Sequence, residues 1–146
     1  MDKISVIIRN KNEQEHIGLA IQSVIDHFDN PEIIIVDNNS TDDSLNIVNL
    51  FIPHHNIKLV NIKNYSPGAS LNLGVKECNN NTLLILSAHS QITKMNLQLV
   101  KEKLVDNMAV FGKQIPIYRG KKINRRYIWS HFGENEQTNM FSSIEK

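Results

Sequence analysis

The sequence predicts an α/β fold, a mainly parallel sheet covered by helices on both faces. Three observations lead there. Short runs rich in β-branched residues alternate with segments of helical period, and the connections between them are short. The runs are continuously apolar instead of alternating apolar with polar, which is how strands buried on both faces read. With 146 residues, the chain is long enough to bury a substantial core and too short for two ordinary domains.

The elements follow in order. Residues 3–9, KISVIIR, form the first expected strand, ended by the polar NKNEQE. Ile17, Ala20, Ile21, Val24, Ile25 and Phe28 recur at the spacing of one helix face. Asn30-Pro31 closes that helix, and EIIIVD at 32–37 is the second strand. In NNSTDDS, Ser40 with Asp43 three residues later has the spacing of a capping box before a helix carrying Leu45, Val48 and Ile52, which Pro53 stops. IKLVNI at 57–62 is the third strand, a helix over 69–78 follows, and TLLILS at 82–87 is the fourth strand. A helix over 94–106 and a broken strand over 108–118 complete the pattern, which fades beyond Arg119.

Composition excludes several classes. Hydrophobic residues make up 40% of the chain, and no apolar run approaches the roughly 18 residues of a membrane span. No secretion signal is legible at the N-terminus, so a cytoplasmic location is expected. One cysteine, Cys78, cannot form an internal disulfide and reads as a small packed hydrophobe. A net charge of +1 gives no field that favours nucleic acid. Locally, RGKKINRR at 119–126 holds five basic residues in eight; it reads as a solvated rim or as a surface for anionic headgroups at the inner face of a membrane. His54 and His55 read as a solvated turn at the opposite sheet edge.

Ligands of parallel sheets bind beyond the carboxyl ends of the strands, which singles out residues 9–12, 37–40, 65–68 and 87–90. No GxGxxG, P-loop or GxSxG motif occurs there. The stretches ISVIIRNKNEQEHIGLAIQSVIDH, PEIIIVDNNSTDDSLNIV and YSPGASLNLGVKECNNNTLLILSAHS resemble the nucleotide-sugar-binding half of a family 2 glycosyltransferase. They do so over residues 3–92, in order and spacing. VFGKQIP at 110–116 echoes the family more weakly, and IRNKNE with LSAHS resembles a branch that builds surface polysaccharide or lipopolysaccharide.

That resemblance implies the GT-A fold, a Rossmann-like three-layer α/β/α sandwich, and a nucleoside diphosphate sugar as donor. By position it places Arg9, Asn10, Lys11 and Asn12 of the first loop, with Asp37 and Asn38 of the second, around base and ribose. Pro67, Gly68 and Asn72 match the segment near ribose and diphosphate, where glycine lets backbone approach a ligand and a helix N-terminus offers N–H donors. Most relatives end the fourth strand in Asp-x-Asp, which holds Mg²⁺ or Mn²⁺. Here Ser87, Ala88 and His89 stand instead. His89 is a candidate ligand for a borderline cation such as Mn²⁺, or, protonated, a partner of the diphosphate; a structural role is the alternative.

The resemblance implies a nucleotide-sugar domain over residues 1–118 and, over 119–146, an incomplete acceptor-side segment, so the fold is expected to be truncated in its acceptor half. The family's general base is a carboxylate beyond the donor half; Glu134, Glu136 and Glu145 are the candidates here. Two functions are carried forward. One is inverting transfer of a sugar to the hydroxyl of an acceptor glycan or lipid-linked sugar. The other is a non-catalytic nucleotide-sugar-binding module acting through a partner. An incomplete sheet edge also makes a homo-oligomer an expectation.

Overall fold

The computed structural model describes residues 3–122. They fall into two compact units, one running through Lys101 and one from Glu102 onward. The first unit holds β1 (Ser5–Asn10), α1 (Ile17–His27), β2 (Glu32–Asp37), α2 (Ser44–Phe51), β3 (Ile57–Asn61), α3 (Pro67–Glu77) and β4 (Leu83–Ser87). Helix α4 (Leu97–Leu104) runs across the division.

The four strands make one sheet in the order β3-β2-β1-β4, and every pair is parallel. The chain steps outward from β1 through β2 to β3, then returns to lay β4 on the other side of β1. The sense of the connections therefore reverses between β1 and β4, the switch point where open sheets of this kind take their ligands. All six residues of β2 are buried, and β1 is buried apart from half-buried Arg9. This is why both read as unbroken apolar runs.

Alternation along the strands divides the core in two. Val6, Ile8, Ile33 and Ile35 pack with Ile17, Ile21 and Val24 of α1 and Val48 of α2. Ile7, Ile34 and Val36 face the other way, against Ala69, Leu71 and Leu73 of α3. Each fully buried Ile or Val contributes about 1.5–3 kcal/mol. Helix α3 lies close to the sheet at Gly74, where a Cβ would stand 2.5 Å from Ile7 Cγ2.

At the amino edge of the sheet, buried Glu32 is enclosed by donors. Its carboxylate accepts from the Ser5 hydroxyl and the Asn79 amide and from the Asn79 backbone N–H at 2.8 Å. Asn80 Nδ2 in turn donates to Ser5 Oγ at 3.0 Å. Burial pushes the Glu32 pKa up, but the hydrogen bonds from Asn79 and Ser5, with the charge of Lys58, outweigh it and hold the group below its ordinary value. The cluster ties the end of α3 to the starts of β1 and β2, and so fixes where β4 begins.

Several elements differ from the sequence expectation. Helix α2 starts at Ser44, with Asp43 at the cap position but its side chain making no capping bond to the backbone; Ser40 turns into the loop instead, because its hydroxyl is taken by Asp37. Helix α3 starts two residues earlier than expected, with Ser66 Oγ accepting from Ala69 N and Pro67 in the first turn, where its missing N–H costs nothing. Helix α4 is shorter at both ends. The expected strand over 108–118 reduces to β5 (Ile117–Tyr118), which pairs antiparallel with β6 (Lys121–Lys122). Their turn has positive φ at Arg119 and Gly120, the backbone of a two-residue hairpin loop. Val110, Phe111 and Ile115 are exposed, so the stretch lacks the buried face that a strand of that composition needs. Among the described residues, no helix is long and apolar enough to cross a membrane.

Candidate functional site

Three strands end in register at the carboxyl edge: Asn10 of β1 lies beside Asp37 of β2, and Asp37 beside Asn61 of β3. Asn10 and Asp37 continue the column of Ile8 and Ile35, so both sit on the α1/α2 side of the sheet. Arg9 lies beside Ser87, in the column of Ile7 that faces α3. The sheet thus separates Arg9 from Asn10, although they are neighbours in sequence.

A hydrogen-bond network joins the first two loops. Asp37 Oδ1 accepts from Asn10 Nδ2 at 2.9 Å and from the Ser40 hydroxyl at 2.6 Å, and Oδ2 accepts from Ser40 N at 2.9 Å. Ser40 Oγ accepts from Asn12 N at 2.9 Å, and Asn12 Oδ1 accepts from Thr41 N at 2.8 Å. Asn12 and Asn39 both have positive φ, a conformation that Asn tolerates better than most residues. Lys11 Nζ donates to Asn39 O at 2.5 Å, and Asn61 Nδ2 to Asn39 Oδ1 at 3.1 Å. Asn38, half-buried, donates its N–H to Asn10 O at 3.0 Å.

Asp37 is thus held largely by its own chain, and of the roughly four acceptor positions of a carboxylate about one stays open, on Oδ2. Asn10 Oδ1 is buried and has no hydrogen-bond partner, an arrangement that costs about 1–3 kcal/mol unless something donates to it.

The fourth loop is a turn. Ser90 N donates to Ser87 O at 2.9 Å, Ala88 is buried in the α1/α2 core, and exposed His89 projects from the bend. His89 Nδ1 lies 3.1 Å from Glu13 Oε1, so the first loop and the fourth meet across the switch point. Glu13 is itself anchored by its N–H, which donates to Ser44 Oγ at 2.8 Å. Behind this loop, a polar cavity of about 340 Å³ is lined by Asn12, Glu13, Gln14, Glu15, His16 and Asp42. Its three carboxylates disfavour a diphosphate there. Asp42, for which slight burial is outweighed by donors on Ser44 and Gln14, is held below its ordinary value.

Pro67 and Gly68 form the first turn of α3, and Asn72 is exposed one turn on. A Cβ at Gly68 would meet nothing within 4 Å, so no protein neighbour requires glycine there. Among the described residues, no group of three or more His, Cys, Asp or Glu side chains is arranged to hold a metal ion. The His89 imidazole, with Glu13 bonded to Nδ1, leaves Nε2 as one nitrogen donor, which fits only a divalent cation that takes its remaining ligands from a substrate. Asn39 and Ser40 lie in a loop that the strand-end rule singled out but were given no contact there, and Asn61 and Glu13 lie outside those loops; the sheet register and loop closure bring all four in.

The model of the family described as glycosyl transferase family 2 matches residues 5–144 of the chain. The chain belongs to that family. It is 30% identical over 139 residues to the probable glycosyltransferase YdaM of Bacillus subtilis, covering 88% of this chain and 33% of that protein. It is 30% identical over 111 residues to an uncharacterized glycosyltransferase of Rickettsia felis, covering 75% of this chain and 18% of that one. The chain therefore spans a third or less of the length of these curated relatives. Among solved structures, S. aureus TarS 1-349 in complex with UDP superposes with a TM-score of 0.63 at 23% identity, covering 80% of this chain and 38% of that one. The mannosyltransferase PcManGT of Pyrobaculum calidifontis, in complex with GDP-Man and Mn²⁺, gives 0.58 at 19% identity, covering 62% and 28%. These likenesses make the fold of this family 2 domain GT-A.

Proposed function

We propose that this family 2 domain binds a nucleoside diphosphate sugar at the carboxyl edge of its sheet and serves inverting transfer of the sugar to an acceptor hydroxyl, in surface polysaccharide or lipopolysaccharide synthesis. The observation that carries the reading is the network joining Asn10, Asp37, Ser40 and Asn12 at the strand ends, with the buried Asn10 Oδ1 left unpartnered. Binding of UDP by TarS and of GDP-Man by PcManGT supports it by analogy of fold.

In this reading the base and ribose lie against Asn10 to Asn12 and Asp37 to Asn38, with Arg9 apart on the α3 face, and a base or ribose donor reaches the free position on Asp37 Oδ2. The N–H of Gly68, in the opening turn of α3, and the positive end of the helix dipole face the diphosphate, with Asn72 beyond them. Ser87 and His89 close the pyrophosphate side. A divalent cation, when bound, would offset the diphosphate charge, and His89, bonded to Glu13 through Nδ1, is the residue that would hold it. In the transfer, the acceptor oxygen attacks the anomeric carbon, the bond to the diphosphate oxygen breaks, and the hydroxyl proton passes to a general base. Glu134, Glu136 and Glu145, the candidate bases, lie outside the described residues. So does the second half of the basic stretch at 119–126, residues 123–126; its described half, the Arg119–Gly120 turn and the start of β6 at Lys121, is the part proposed to meet anionic headgroups.

The test is calorimetric titration with UDP, GDP, CDP and TDP and their sugars, with and without Mn²⁺. Selective binding of one nucleotide supports the donor site, and hydrolysis or transfer of its sugar supports catalysis. Binding with no turnover in the presence of acceptor would favour the binding-module reading, and no binding to any of them would overturn the proposal.

A further inference from the structure

Two loops 76 residues apart in sequence place Glu13 and His89 in contact, and neither backbone is free to drift. Glu13 O receives the N–H groups of His16 and Ile17 at 2.9 and 2.8 Å as α1 begins, while its own N–H is held by Ser44. His89 stands in the turn closed by Ser90 N and Ser87 O, with Ala88 beside it 2% exposed in the core. The two side chains remain open to solvent, 62% exposed for His89 and 25% for Glu13. The pair lies at the reversal of strand order between β1 and β4.

An ionised carboxylate only accepts hydrogen bonds, so the ring nitrogen facing Glu13 must carry the proton. The bond therefore selects the Nδ1–H form of a neutral His89 and leaves the lone pair on Nε2. Imidazoles that ligate metal ions are oriented in this manner, the second N–H given to a carboxylate that fixes the tautomer and raises ligand basicity. Glu13 has no structural need that accounts for the contact: its carboxylate is not buried, and α1 begins through its backbone.

We propose that Glu13 is the positioning residue of a carboxylate–imidazole pair, holding His89 as the Nδ1–H tautomer so that Nε2 is the open nitrogen for a first-row divalent cation entering with a diphosphate. The cation part of this rests on the donor-site reading above. One imidazole among oxygen ligands shifts preference from Mg²⁺ toward transition ions. The carboxylate that the fourth loop lacks is thereby supplied, one bond removed from the cation, by the first.

Two-bond ¹H–¹⁵N correlation spectra of the full chain, taken above the histidine titration, read the tautomer without any ligand. The wild type should show a protonated Nδ1 and a free Nε2, and Glu13→Ala should lose that preference, with unchanged circular dichroism. Mn²⁺ is then titrated alone and with UDP, read by paramagnetic broadening of the His89 ring. Glu13→Ala should weaken Mn²⁺ by about 10- to 100-fold, the usual cost of losing such a partner, and Glu13→Gln, which keeps the acceptor oxygen, by less. A wild-type ring protonated on Nε2, or equal Mn²⁺ affinity in wild type and Glu13→Ala, overturns the proposal. Absence of UDP binding with the tautomer and Mn²⁺ results intact would instead strike the donor-site reading.

Discussion

The two edges of the sheet carry polar clusters of similar make-up and opposite completeness. At the amino edge, Glu32 receives Ser5 and Asn79, and Asn80 closes the ring on Ser5. At the carboxyl edge, Asp37 receives Asn10 and Ser40, yet Asn10 Oδ1 stays buried without a partner and His89 projects into solvent. Both clusters anchor loops to strand ends. Only the second leaves groups that a ligand would satisfy, and a polar cluster left incomplete at a sheet's carboxyl edge is where binding is expected. The comparison separates residues that hold the fold from those that hold a ligand, and substitutions at the two edges should separate in the same way.

The largest effect is expected at the amino edge. Glu32→Ala strips the shared acceptor from Ser5 and Asn79 and should cost about 3 kcal/mol in urea denaturation, with nucleotide affinity of the folded protein unchanged. The same carboxylate gives the fold an acid limit. Its folded pKa lies below the ordinary 4.5, so its contribution is full above that value and is lost as the pH falls through the lower, folded one. Glu32→Gln should flatten stability against pH in this acid window.

A smaller loss is expected at Gly74, where a methyl would meet the β-branched Ile7 Cγ2 at 2.5 Å. Gly74→Ala should destabilise by about 1–3 kcal/mol, the range for overpacking, and again leave affinity intact. Gly68→Ala should invert this pattern. With open space around the position and helical backbone, alanine should stabilise by about 0.5–1 kcal/mol, while nucleotide diphosphate affinity falls because the methyl intrudes where the ligand's phosphates approach. An unchanged affinity there would remove α3 from the site and sharpen the comparison to the first, second and fourth loops.

The strands were legible because both faces of β1 and β2 are buried, which leaves no polar period to confuse them, and α1 was legible because one face packs on them. The start of α2 was not. Ser40 and Asp43 have the spacing of a capping box, but Asp37, three residues earlier, competes for the same hydroxyl, and sequence does not say which bond wins. The stretch over 108–118 has strand composition, yet composition supplies no partner. In the site, Asn10, Asn12 and Asp37 were found by position after a strand, whereas Glu13 was not. Its partner is 76 residues away, and no local period encodes a contact made only when β4 is laid beside β1. Arg9 shows the converse: adjacent to Asn10 in sequence, it is turned to the other face of the sheet by the alternation that makes the strand.

The most direct test of the central claim is a backbone amide NMR titration of the ¹⁵N-labelled chain with the nucleotide that binds best. Shifts confined to Asn10, Asn12, Asp37 to Thr41, Gly68 and His89, with Ser5, Glu32 and Asn79 unmoved, are the predicted result. Saturable shifts centred on the amino edge, or none at the carboxyl edge, would contradict it.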